Sequence, residues 1–252
     1  MQSFPKKILQ IITSGSIFLS IALPIFSFAE NTDTSFDTYV NFCAQTTNIN
    51  AKIYDRINTV QALVLEQHTK IENTLNEEWA QLDQQHLAKI ADADALRESR
   101  FKTLTRQAKS KQDKERTIAF EKAITDAVTL RRGVIDTETK AYRKGILDIY
   151  LKEESSLHLA ADTFIETTEA FLAKAKHGCA IGIESKTVRE TYIADLKKAE
   201  ETFKTTKQKV MDITESIQAL TQTQKEKFAA AQANFETTVA QAKIKLEEIP
   251  IQ

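Results

Sequence analysis

Apolar side chains recur every three or four residues along most of this chain, from about residue 36 to about residue 247. One stripe in the first half of that stretch consists of Ile53, Ile57, Val60, Val64, Ile71, Leu75, Trp79 and Leu82. Nearer the carboxyl terminus, the steps between apolar residues alternate more regularly between four and three, and the polar Thr206 occupies one of these positions. This second stripe consists of Tyr192, Leu196, Ala199, Phe203, Val210, Ile213, Ile217 and Leu220. The first spacing is typical of an amphipathic helix and the second of a coiled coil. The pattern therefore predicts an all-α protein of long helices.

Residues that break helices are almost absent from the same stretch. No proline lies between Pro24 and Pro250. Proline interrupts a helix because it lacks the backbone N–H, and glycine is less favourable than alanine in a helix by about 1 kcal/mol. The glycines in this interval are Gly133, Gly145, Gly178 and Gly182. We therefore expect an elongated antiparallel bundle, or coiled-coil rod, of three helices.

Two closely spaced glycines predict one of the turns between these helices. Gly178 and Gly182 lie four residues apart. Gly178 fits the left-handed position that commonly ends a helix. Thr187, followed three residues later by Glu190, resembles a capping box at the start of the next helix.

The two cysteines of the chain, Cys43 and Cys179, locate the other turn. If they pair within one chain, a straight helical hairpin must reverse midway between them, near residue 111. Residues 109–114 are wholly polar there, and Ser110 or Asp113 can cap the following helix. Three alternatives stay open: disulfide pairing between two chains, two unpaired thiols, and a turn near Gly133 that separates the cysteines.

The turn near residue 111 also sets a register in which facing residues have numbers that sum to 222. Ile57 then faces Ile165, and Trp79 lies beside Tyr142 as a core or groove residue. The expected single domain covers residues 36–249 and contains helices at about residues 36–109, 113–177 and 185–247.

The first 29 residues resemble a secretory signal peptide. A short basic start precedes a mostly apolar segment, and small residues occupy the two positions that signal peptidase reads before the predicted cleavage between Ala29 and Glu30. Residues 30–35 form a flexible leader in this interpretation. The alternative is an uncleaved membrane anchor, because residues 8–28 are nearly long enough to span a bilayer. Either interpretation places the body outside the cytoplasm, in the periplasm, at the cell surface or in the medium.

Charge along the chain is close to balanced. Removal of two signal lysines leaves 32 basic against 35 acidic residues, a net charge of −3. A nucleic-acid partner is not expected, because such binding needs a clustered basic surface. Residues 106–116 contain several cations interspersed with Asp113 and Glu115. We interpret this segment as a solvated turn, although an anionic lipid or polymer is the alternative partner.

The histidines offer one candidate for metal chemistry. The predicted register brings His68 to the level of Glu154, one turn from His158. Imidazole and carboxylate groups from facing helices hold metals in some helical bundles. A di-iron site needs a second pair of this kind, and only Asp83 with His86 resembles one, about 27 Å away along the helix. We therefore expect solvated histidines and neither a metal nor another cofactor.

Motifs for catalysis are missing from the sequence. It contains no phosphate loop, no glycine-rich dinucleotide turn, no nucleophile elbow and no His-Glu-x-x-His helix. We therefore expect a structural or interaction protein, not an enzyme, that acts as a helical spacer or scaffold in the cell envelope or exterior. Its partner is a protein or envelope component, a homodimer is permitted, and membrane contact is expected only through an uncleaved signal segment. The alternative is an extracytoplasmic holdase chaperone that binds unfolded clients between its helices.

Overall fold

The computed structural model describes residues 42–211 and 213–247, and all regular structure in those ranges is helical. The helices are α1 (Phe42–Gln107), α2 (Lys111–Ala180), α3 (Ser185–Met211) and α4 (Thr214–Glu247). The predicted all-α fold of long, mutually packed helices is thus confirmed. The predicted signal peptide, the cleavage site at Ala29 and Glu30, the leader and the start of the first helix lie outside the described residues.

A short turn at residues 108–110 joins α1 to α2. The Ser110 hydroxyl accepts a hydrogen bond from the Asp113 N–H at 3.0 Å, and the Asp113 carboxylate accepts one from the Ser110 N–H at 3.1 Å. This reciprocal arrangement is a capping box, and it satisfies backbone donors that the first turn of α2 leaves without partners. The turn predicted near residue 111 is confirmed. The alternative turn at Gly133 is wrong, because Gly133 lies inside α2.

The second turn uses a different glycine from the one predicted. Gly182 has a φ of 84°, its N–H donates to the Cys179 carbonyl, and the Ile183 N–H donates to the Gly178 carbonyl. These bonds form a Schellman motif with Gly182 at the left-handed position. Gly178 is instead helical, and a Cβ there would lie 3.2 Å from Val188 Cγ2. Its lack of a side chain, rather than its backbone freedom, brings α3 close to α2.

The start of the next helix also differs from the prediction. Helix α3 begins at Ser185, so Thr187 lies within its first turn and does not cap it. The Val188 N–H donates to the Glu184 carbonyl at 3.1 Å, which closes the first helical turn.

The helix expected over residues 185–247 is interrupted, so this prediction is wrong. Helix α3 ends at Met211, and α4 begins at Thr214. The sequence Asp-Ile-Thr at 212–214 consists of residues with below-average helix propensity. Ile213 is non-helical yet buried, and Ile217 is buried in α4. The apolar spacing therefore continues across the interruption, and for this reason the sequence pattern did not predict it.

The packing divides the chain into two compact units where the sequence predicted a single domain. Unit 1 comprises Met1–Thr74 and Ile149–Thr214, and unit 2 comprises Leu75–Asp148 and Glu215–Gln252. Among the described residues, unit 1 contains parts of α1 and α2 with α3. Unit 2 contains the other parts of α1 and α2 with α4. Each unit therefore contains segments of α1 and α2 packed with one further helix.

Among the described residues, two apolar clusters lie between the three helices of unit 1. Phe164 and Phe203 pack with ring centroids 5.4 Å apart in the first, and Phe42 and Tyr192 pack at 5.6 Å in the second. The remaining buried members are Ile53, Ile57, Ala160, Ala161 and Ala199 in the first, and Leu172, Ala175 and Val188 in the second. The predicted stripe of α1 thus supplies one wall of this core.

The core of unit 2 includes a close approach between two helices. Leu75 and Ile146 are fully buried. A Cβ at Gly145 would lie 2.8 Å from Leu220 Cδ1, so α4 packs directly against the glycine backbone. Phe101, Ile124 and Ala242 form a further cluster that joins α1, α2 and α4.

Candidate functional sites

A disulfide joins the first turn of α1 to the last turn of α2. Cys43 and Cys179 are bonded, with Cα atoms 5.9 Å apart and a sequence separation of 136 residues. Both cysteines pack against the cluster around Phe42 and Tyr192. The predicted intrachain pairing is therefore present.

A polar cluster in unit 1 surrounds His68. Its Nδ1 lies 3.0 Å from Glu154 Oε2, and its Nε2 lies 3.8 Å from Glu153 Oε2. His158 Nε2 lies 3.9 Å from the other oxygen of Glu154. The Tyr150 ring meets the imidazole edge-on, with centroids 5.9 Å apart. His68, Glu154 and His158 thus lie close together, as the predicted hairpin register requires.

Glu153 is the member of this cluster that the sequence prediction missed. It lies on the same face of α2 as the buried residues Ile146, Tyr150 and Leu157, which was a signal in the sequence. Burial raises the pKa of Glu153 to about 7. This carboxyl therefore changes its protonation near neutral pH, next to an imidazole. Within the described residues, no group of three or more His, Cys, Asp or Glu side chains is placed to hold a metal ion.

A second buried carboxyl lies on α3. Glu200 is 7% exposed, and burial raises its pKa to about 7. The neighbouring Glu201 raises the pKa further, whereas Lys204 and Lys197 oppose the rise. Unit 1 therefore contains two glutamates that favour the neutral form more than exposed glutamates do.

An open apolar groove runs between α2 and α3 in unit 1. Its volume is about 520 Å³, within the range of ligand pockets. Phe164, Phe171 and Phe203 contribute aromatic surface, and Leu159 on its edge is 68% exposed. The other lining residues are Ser156, Ala160, Thr163, Thr167, Asp195, Lys198, Ala199, Thr202, Thr206 and Val210. The sequence prediction missed this groove, because it depends on which faces of two helices are left uncovered.

Arginine side chains bridge α1 and α2 in unit 2. Arg143 donates to both Asp83 oxygens at 2.8 and 2.6 Å, and its guanidinium carbon lies 5.4 Å from the Trp79 ring centroid. Arg132 makes a similar two-bond contact with Asp94. Hydrogen bonds from these arginines lower the pKa of Asp83 and bring that of Asp94 to about 2. Trp79 is therefore a buried packing residue, as predicted, and Asp83 pairs with Arg143 across the helices.

Comparison with models of known protein families, with curated proteins and with solved structures found no match for this chain. Among residues 42–211 and 213–247, no helix combines the length and the hydropathy that crossing a bilayer requires. The fold and its sites therefore define an all-α helical protein with an internal disulfide.

Proposed function

We propose that this protein is exported and serves as a helical spacer or scaffold in the cell envelope or exterior, without catalytic activity. The observation that carries the proposal is the disulfide between Cys43 and Cys179 within a wholly helical body. Structural disulfides persist in oxidising compartments and are rare in the cytosol. Helices of 66 and 70 residues also present long surfaces to partners.

Export is tested on the protein from its native cells. Fractionation followed by thiol alkylation and mass spectrometry should find Cys43 and Cys179 oxidised in an extracytoplasmic fraction. The mature protein should begin at Glu30. An intact Met1 would contradict cleavage, and reduced thiols in a cytosolic fraction would contradict export.

The scaffold role is tested by site-specific photo-cross-linking in living cells. A photoreactive residue replaces Leu65 in unit 1 or Leu130 in unit 2, both exposed apolar side chains. We expect discrete adducts with one or more partner proteins from these positions. Exposed polar positions Gln208 and Gln85 serve as controls for non-specific capture. Adducts of equal yield at all four positions, or none at any, would contradict specific partner binding.

A holdase chaperone is the second candidate, and the groove between α2 and α3 favours it. Its aromatic floor and exposed Leu159 offer apolar surface to an unfolded client. If the groove binds clients, Leu159→Lys with Thr163→Lys should abolish suppression of client aggregation. Leu151→Lys is the matched control, since Leu151 is 63% exposed on the same helix but does not line the groove. No suppression by the wild-type protein at equimolar amounts would end this candidate.

A further inference from the structure

The α1–α2 turn and the helix ends beside it form a basic end of unit 2. Residues 97–116 contain eight lysines and arginines against three acidic residues, a net charge of +5. The whole chain has a net charge of −1, so the remaining residues together carry −6. The charge is therefore segregated, although the overall composition is balanced.

Three of these cations face solvent. Arg100, Lys109 and Lys114 are exposed and form no ion pair with any residue in the described ranges. The end of α4 adds the exposed Lys243 and Lys245 and one exposed acid, Glu247. It lies at the same end, because Ala242 packs with Phe101 and Ile124.

Two exposed isoleucines accompany these cations. Ile118 is 63% exposed in the second turn of α2, and Ile244 is 57% exposed between two lysines. The nearby aromatic rings of Phe101 and Phe120 instead pack edge-to-face with each other, with centroids 6.2 Å apart. Exposed aliphatic side chains among lysines and arginines are typical of proteins that lie on a bilayer. Proteins that bind single-stranded nucleic acid present aromatic stacking surfaces.

We propose that this basic end of unit 2 binds the surface of bilayers that contain anionic phospholipids. Its lysines and arginines contact the lipid phosphates, while Ile118 and Ile244 enter the interface between headgroups and acyl chains. The contact is peripheral, distinct from any anchoring by residues 8–28. It goes beyond the spacer function and does not depend on it.

Binding is measured by co-sedimentation of the purified full protein with vesicles of phosphatidylcholine, with or without phosphatidylglycerol. The vesicles without phosphatidylglycerol measure any binding that residues 8–28 contribute. We expect binding that requires phosphatidylglycerol and weakens as salt rises, since salt screens exposed charges. Reversal of charge at Arg100, Lys109 and Lys114, each to Glu, should weaken this binding by roughly 100-fold, because each basic residue near the surface contributes roughly five-fold.

The matched control reverses three other exposed lysines of unit 2, at Lys89, Lys140 and Lys227. These lie away from the turn and change the net charge by the same amount, so binding should stay close to that of the wild type. Equal losses in the two triple variants would mean a general charge effect and overturn the proposal. Absence of wild-type binding to phosphatidylglycerol vesicles at low salt would overturn it as well.

Variants of the two isoleucines distinguish binding to a bilayer from binding to other polyanions. Ile118→Ser with Ile244→Ser should weaken vesicle binding several-fold while leaving its salt dependence unchanged. Leu130→Ser is the control, because Leu130 is equally exposed but lies farther along α2. Unchanged vesicle binding in the isoleucine variant, together with binding of single-stranded DNA of similar strength, would replace the proposal with general polyanion binding.

Discussion

Units 1 and 2 are built from the same helices α1 and α2 around apolar residues, but they differ in the further interactions that link these helices. In unit 1, a disulfide and two clusters of aromatic and aliphatic side chains connect the helices. In unit 2, arginines bridge to aspartates and lie over aromatic rings, as Arg143 does with Asp83 and Trp79. Unit 2 has no cysteine. Similar apolar patterns are thus compatible with two kinds of helix pairing.

The two kinds of pairing respond to different conditions. A disulfide stabilises mainly by restricting the unfolded chain, so it is insensitive to salt but lost on reduction. Exposed ion pairs are weakened by salt and by protonation of the carboxylate. We therefore expect reductant to act on unit 1, whereas salt and acid weaken the bridges of unit 2.

Removal of the disulfide has the largest expected effect. Replacement of Cys43 and Cys179 by Ala should lower the free energy of unfolding by about 5 kcal/mol, from the loop-closure entropy of so long a loop. Hydrogen exchange should show the loss of protection in α3 and in residues 149–180. Reduction of the wild-type protein should reproduce it. An equal loss of protection in unit 2 would show that the two units unfold together, and would remove the contrast between them.

Glu153→Gln should change how the stability of unit 1 depends on pH. Because burial raises the pKa of Glu153 in the folded state to about 7, the folded protein holds this proton more tightly than the unfolded chain. Its stabilising contribution is complete below about pH 4.5 and is lost as the pH rises through about 7. Glutamine cannot ionise, so the variant should be more stable than the wild type well above pH 7, by about 3 kcal/mol.

Urea denaturation at about pH 4 and about pH 8 measures this difference. The exposed Glu166 on the same helix provides the control variant Glu166→Gln, which should change stability little at either pH. A Glu153→Gln variant that is destabilised at both pH values would show that the carboxylate itself is needed in the cluster around His68.

Two glycine substitutions should have effects of opposite sign in the two units. Gly182→Ala in unit 1 should destabilise the protein by about 1 kcal/mol, because a Cβ disfavours the positive φ at this residue. Gly133→Ala in unit 2 should stabilise it by about 1 kcal/mol, since nothing lies within 4 Å of the added Cβ. Thermal unfolding followed by circular dichroism compares them. Stabilisation by Gly182→Ala would contradict the left-handed helix end.

Arg143→Lys has the smallest expected effect. Lysine keeps the charge but loses the two-bond contact with Asp83 and the stacking on Trp79. We expect a loss of roughly 0.5 to 1 kcal/mol at low salt and less at high salt. Lys144→Arg, at an exposed pair with Asp148, should change stability by much less. Equal effects of the two variants would show that the bridges of unit 2 contribute little beyond charge.

Much of the helical architecture could be predicted because its signals are local or follow from one constraint. The midpoint between the two cysteines placed the first turn near residue 111, and Ser110 and Asp113 supported it, since a cap needs only side chains within the same turn of chain. The intrachain pairing of Cys43 with Cys179 then set the register of α1 on α2. That register predicted that His68 lies at the level of Glu154.

The sequence by itself thus determined that the chain forms long helices, and it predicted the first turn, the disulfide pairing and the buried stripe of α1. Only the tertiary structure decided which glycine ends α2, where α3 gives way to α4, and that Glu153 and Glu200 are buried. It also decided that a groove stays open beside Phe164 and that Arg143 covers Trp79. The physical reason is that apolar spacing reports one face of one helix, whereas burial, pKa shifts and grooves depend on what the neighbouring helices place against that face.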